Sequence, residues 1–120
     1  MKSTIIHIGK DAIDEKEPIL VLFGEEASSA IKNVSILQSF KEAYQTITLN
    51  EKDQIIFGDQ VYTVEHVGEN VNSNLQSLGH VTLVFKEFNQ ENFLETSVYV
   101  SPYRLPKLSE KMEIQYISKQ

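Results

Sequence analysis

Short runs of β-branched and aromatic residues recur along the chain, and turn chemistry separates them. Thr4–Ile8 closes at Gly9, and Ile19–Phe23 follows Pro18 and closes at Gly24. Val34–Leu37 and Tyr44–Leu49 read as two further strands, the second followed by a charged turn at Asn50–Asp53. Ile55–Phe57 and Val61–Val67 flank Gly58-Asp59-Gln60, a three-residue loop with a glycine that marks a β-hairpin. Val81–Phe85, Ser97–Val100 and Met112–Ile117 complete the set. Within Val61–Val67, alternation puts Val61, Thr63, Glu65 and Val67 on one face and Tyr62, Val64 and His66 on the other.

Two stretches break the strand pattern. Glu25–Asn33 has Ala27, Ala30 and Ile31 at helical spacing, and Asn70–Leu78 reads as a short helix with Asn72 or Ser73 as N-cap and Gly79 as the stop. The pattern therefore predicts an all-β fold: one small barrel-like domain over residues 1–120, of about seven to nine strands, with one or two short helices. Leu75, Leu78, Val81, Leu83 and Phe85 are expected in its core, with Gly79 turning the chain between helix and strand. Pro102–Pro106 reads as an extended connection to the last strand. An open barrel has strand edges to cover, which points to a homodimer.

Composition narrows the function more than the fold. With 120 residues the chain is one domain, and burial of about two-thirds of its unfolded surface suffices without a staple. The 17 acidic against 11 basic residues give a net charge of −6, which disfavours a nucleic-acid partner. The absence of cysteine removes disulfides, thiolate metal sites and thiol nucleophiles, and fits a reducing compartment. The longest apolar run, Ile19–Phe23, is strand-sized, and the N-terminus has no signal-peptide core, so the expectation is a soluble cytoplasmic protein without membrane insertion.

Chemistry has few candidates. The five glycines are isolated, so no phosphate loop is present, and Ser28 and Ser29 lack a nucleophile elbow. The acidic residues Asp11, Asp14, Glu25, Glu26, Asp53, Asp59 and Glu65 single out no catalytic pair. His7, His66 and His80 form no zinc motif, and no metal or organic cofactor is expected. His7 reads as a strand residue at the surface. His66 shares its face with Tyr62 and Val64, which suits a packed histidine. His80 follows Gly79 at a helix-to-strand junction, where a side chain is displayed at an element's end.

Whole segments add a family resemblance. Ile8-Gly9 precedes Ala12-Ile13-Asp14; then come the strand Ile19–Phe23 and Glu25-Glu26-Ala27. Phe57-Gly58-Asp59-Gln60-Val61-Tyr62 leads into Val64 and Val67-Gly68. The most specific anchor is Asn74-Leu75-x-x-Leu78-Gly79-His80-Val81-Thr82-Leu83-x-Phe85, followed more loosely by Ser97-Val98-Tyr99-Val100 and Pro106. In these segments the chain resembles the glucitol/sorbitol-specific IIA component of the bacterial phosphoenolpyruvate-dependent sugar phosphotransferase system (PTS).

The resemblance implies a small, mostly β domain that takes a phosphoryl group on a histidine from HPr and passes it to the IIB part of a sugar permease with IIB and IIC domains. It implies a hexitol, sorbitol first, and no cofactor. It also places the acceptor histidine between the early strands and the Gly58 hairpin, near Phe40 and Lys41. The stretch from Asn33 to Gln54 contains no histidine. A relay needs one: a neutral imidazole attacks phosphorus at pH 7 and leaves again, whereas Lys is largely protonated and Ser or Thr esters are poor onward donors. Either His80, or as second choice His66, serves as acceptor, or the chain is a non-catalytic regulatory module that binds a ligand or a protein on the same scaffold. A histidine exposed beside an apolar, partner-sized patch distinguishes the first from the second.

Overall fold

A computed structural model describes residues 1–43 and 46–119. Its strands are β1 (Lys2–Ile8), β2 (Ile19–Phe23), β3 (Ile36–Phe40), β4 (Gln54–Phe57), β5 (Gln60–Val67), β6 (Val81–Val84), β7 (Ser97–Ser101) and β8 (Glu113–Ile117). Two helices interrupt them, α1 (Ser29–Val34) and α2 (Val71–Leu78). The strands close into one barrel in the order β1-β3-β2-β6-β7-β5-β4-β8, all pairs antiparallel except β2 with β3 and β6 with β7. The all-β barrel with two short helices agrees with the pattern of the sequence. Closure leaves no unpaired edge, so the edge argument for a homodimer does not apply.

Alternation drives the closure. Ile5, Leu20, Leu22, Ile36, Ile55, Phe57, Tyr62, Val64, Leu83, Val98, Val100 and Ile114 point inward and are buried. Leu75, Val81, Leu83 and Phe85 join the core as expected. Leu78 does not: it is 53% exposed, because the last turn of α2 stands clear of the barrel where Gly79 reverses the chain at φ 63°. On β5, Tyr62 and Val64 are inward, but a bulge between Val64 and His66 breaks the alternation.

The other departures have local causes. Val34 closes α1, so the strand expected over Val34–Leu37 runs from Ile36 to Phe40. The helix expected from Glu25 begins at Ser29, after Ser28 has capped it by accepting from the Ile31 amide at 3.3 Å. Asn70, rather than Asn72 or Ser73, is the N-cap of α2. The expected strand Tyr44–Leu49 is absent over its described part, 46–49; Tyr44 and Gln45 lie outside the described residues. Ile47 and Leu49 are buried there, yet their backbones bond to side chains of α2. Asn72 Oδ1 accepts from the Leu49 amide at 2.8 Å, its Nδ2 donates to the Leu49 carbonyl at 3.0 Å, and Gln76 Nε2 donates to the Ile47 carbonyl at 2.7 Å. That leaves no need for a neighbouring strand. No helix among the described residues is long and apolar enough to cross a membrane.

Candidate functional site

The end of β2 meets the end of α2 through two glycines. The Gly24 amide donates to the Leu78 carbonyl at 3.1 Å, and a Cβ on Gly79 would lie 3.1 Å from the Gly24 backbone. Only residues without side chains allow this approach, together with the left-handed backbone at Gly79. Beside the junction opens a cavity of about 690 Å³. Phe23, Ala27, Ile31, Phe40 and Leu78 supply its apolar walls, and Glu25, Glu26 and Glu42 are exposed carboxylates along it.

His80 follows the junction and, though not itself among the residues that line the cavity, contacts one that is, Phe23. Its ring stacks on Phe23 with centroids 4.1 Å apart, and its Nδ1 lies 3.1 Å from the Leu22 carbonyl oxygen. A carbonyl can only accept, so Nδ1 carries a proton, and in the neutral ring the lone pair is then on Nε2. The residue is half-buried, and Nε2 has no protein hydrogen-bond partner among the described residues while remaining solvent-accessible.

Behind the cavity lies a group the sequence reading did not single out. Gln38 is wholly buried and also lines the cavity. Its Oε1 accepts from Ser3 Oγ at 2.7 Å and from the Tyr116 hydroxyl at 2.6 Å, and its Nε2 donates to the Gly79 carbonyl at 3.2 Å. One side chain thereby ties β1 and β8 to the peptide that precedes His80. Burial pushes the Tyr116 phenol far above its ordinary 10.0, with the bonds to Gln38 and Ser3 opposing the shift. The only hint in the sequence was a lone Gln at an inward position of Ile36-Leu37-Gln38-Ser39-Phe40.

The remaining sites are placed as follows. His66 is packed in an aromatic cluster: it stacks on Phe88 at 3.8 Å and meets Phe93 edge-on at 5.2 Å, and its Nε2 is buried without a hydrogen-bond partner. His7 is half-buried in β1. Of the stretch 33–54, the described residues Gln38, Phe40, Glu42 and Ala43 line the cavity. Lys41 turns away to pair with Glu113 at 2.9 Å, on the surface. His80 and His66 belong to different parts of the barrel wall, one by β2 and the other by β7. Among the described residues, no group of three or more His, Cys, Asp or Glu could hold a metal ion.

The model of the family described as the PTS system glucitol/sorbitol-specific IIA component matches residues 1–115. The chain belongs to this family. It is 31% identical over 102 residues to the PTS system glucitol/sorbitol-specific EIIA component of Escherichia coli strain K12, covering 84% of this chain and 81% of that protein. It also resembles the crystal structure of a PTS system IIA component from Enterococcus faecalis V583, with a TM-score of 0.92 and 38% identity over 98% of this chain and all of the other. The IIA-family match runs through the Gly79 junction and the β3 wall alike, so the cavity is built from segments inside the matched region.

Proposed function

We propose that this IIA-family chain is the phosphocarrier between HPr and the IIB part of a hexitol permease, and that His80 Nε2 is the accepting nitrogen. The observation that carries the reading is the bond from Nδ1–H to the Leu22 carbonyl. It favours the tautomer in which Nε2 is nucleophilic and leaves that nitrogen without a backbone partner, on a ring that stacks on a wall residue of the cavity, Phe23.

The chemistry balances without a cofactor. The Nε2 lone pair attacks phosphorus in line as the bond from phosphorus to the donor histidine of HPr breaks, and the electron pair of that bond stays with the donor imidazole. The ring then carries a partial positive charge, which the Leu22 carbonyl oxygen stabilises through the Nδ1 proton. Transfer to IIB is a second in-line displacement, in which a nucleophile of IIB attacks phosphorus and the electron pair of the breaking P–N bond returns to Nε2. His66 is the poorer acceptor, since a buried Nε2 between aromatic rings cannot meet a second protein. This reading puts the chain in the cytoplasm, where phosphoenolpyruvate and HPr are found.

A second reading has its own observation. The amide of Gln38 is engaged with Ser3, Tyr116 and Gly79, and an amide is no phosphoryl acceptor. The β3 stretch in which the family resemblance locates the acceptor thus lines a cavity that has no histidine among its described lining residues, which suits a regulatory module that binds partners and does not relay phosphate.

Incubation with phosphoenolpyruvate, Enzyme I and HPr, followed by intact-mass measurement at alkaline pH, separates the two. The relay gives one acid-labile phosphate, lost in His80→Gln and kept in His66→Gln. No label, with partners active on an authentic IIA component, rejects the relay in favour of the binding module.

A further inference from the structure

Ser3 of β1, Gln38 of β3 and Tyr116 of β8 bring polar side chains together in the barrel interior, and all three are buried. The Gly79 carbonyl can only accept, so the amide nitrogen of Gln38 faces it and the amide oxygen faces the two hydroxyls. Turning the carboxamide over would break all three bonds. The backbone is adjusted at the same point: the register of β1 on β3 shifts between Ile5 and His7, opposite Gln38 and Leu37, and irregularities of this kind re-aim side chains. Apolar residues at these positions would close the barrel without placing any polar group in need of a partner. What the polar set adds is a bond out of the barrel wall to the Gly79 carbonyl.

That carbonyl belongs to the peptide group through which the chain enters His80. The other end of the same group, the His80 amide, donates to the Asn74 carbonyl at 3.4 Å, a long bond, so the 3.2 Å bond from Gln38 is the shorter of the two that hold it. A peptide group is planar, and fixing its carbonyl fixes the direction in which His80 leaves it. From there the ring must meet both Phe23, 4.1 Å away between centroids, and the Leu22 carbonyl, 3.1 Å from Nδ1. A rotated peptide would carry the ring off these contacts on β2. We propose that Gln38 is a positioning residue for His80: its amide, locked by Ser3 and Tyr116, orients the Gly79–His80 peptide so that Nδ1–H reaches the Leu22 carbonyl and Nε2 is left without a backbone partner. For its consequence in the relay the inference rests on the reading of His80 as the acceptor, and it adds a residue that acts on that step through His80 and not by touching phosphate.

The test compares variants of the full chain by nitrogen NMR of the His80 ring at about pH 8, where an ordinary imidazole is neutral. Tyr116→Phe loses one bond of the network and keeps Gln38 on the Gly79 carbonyl. The triple variant Ser3→Ala, Gln38→Met, Tyr116→Phe removes that bond and leaves neither hydroxyl orphaned, and Gln38→Met alone, in which the two hydroxyls are free to pair, is the second variant. The parent and Tyr116→Phe should carry the proton on Nδ1 of His80, whereas both Gln38 variants should show mixed tautomers. Phosphoryl uptake from phosphorylated HPr should be about tenfold slower or worse in the Gln38 variants and unchanged in Tyr116→Phe. A merely structural Gln38 would lower the denaturation midpoint and leave the tautomer alone. The Nδ1 proton retained in the Gln38 variants, or lost as fully in Tyr116→Phe as in the triple variant, would overturn the proposal. Mixed tautomers in the Gln38 variants of a chain that takes up no phosphate support the positioning of His80 and reject the relay. Uptake by the triple variant at the parent's rate overturns the proposal and leaves the relay standing.

Discussion

At the scale of single residues, Gly79 and Tyr116 set the terms of the site. Gly79 has φ 63°, and a Cβ there would crowd the Gly24 backbone at 3.1 Å. Gly79→Val should cost about 1–3 kcal/mol from backbone strain alone, with the crowding added; an unchanged urea midpoint would contradict this. Tyr116 makes a pH prediction. Its phenol is raised above 10.0 in the fold by burial, so the neutral form is favoured there more than in the unfolded chain. That stabilisation is complete below about pH 10 and is lost as the pH climbs from there toward the folded value. Tyr116→Phe should cost about 1 kcal/mol at neutral pH, through the lost bond to Gln38, yet lose less stability than the parent above pH ~10. Denaturant midpoints across the alkaline range decide it; parallel curves for the two proteins would show that the buried phenol is not the titrating group.

At the scale of elements, α2 works as a clamp as well as a helix. Through Asn72 and Gln76 it supplies the hydrogen bonds of 47–49 that a neighbouring strand would otherwise supply. Asn72→Ala leaves the Leu49 amide and carbonyl without these partners and should cost about 2 kcal/mol, with faster hydrogen exchange at Leu49. Exchange at Leu49 as slow as in the parent would show that another group holds the segment. The same segment marks the limit of reading by alternation. Thr46-Ile47-Thr48-Leu49 has the in-and-out period of a strand and buries Ile47 and Leu49 accordingly, but the period records which side chains face the core and is silent on where the backbone bonds go. The other strands were legible because turn residues bound them and a neighbour met them. The Gly79-His80 junction was legible for a related reason: a glycine after a short helix has one common use. Gln38 was not legible, since its partners Ser3, Gly79 and Tyr116 come from distant parts of the chain, and Leu78 was misplaced because helical spacing does not say where the helix leaves the barrel.

At the scale of the whole molecule, the barrel serves as a rigid mount. Among the described residues eight strands close into the barrel, and the cavity lies where the turn after β2, the end of β3 and the Gly79 junction meet on its wall. A phosphocarrier needs little more than this, because its acceptor must be held in one tautomer and yet be reached by two proteins in succession. In the proposed relay the bond from His80 to the Leu22 carbonyl reserves Nε2 for phosphorus. The most direct measurement is phosphorus and nitrogen NMR of the chain, labelled in its histidine rings and phosphorylated through Enzyme I and HPr. The expected result is a single phosphohistidine with phosphorus coupled to Nε2 of His80 and the proton retained on Nδ1. Phosphorus coupled to Nδ1, carried by His7 or His66, or absent from every histidine while HPr itself is phosphorylated, would contradict it.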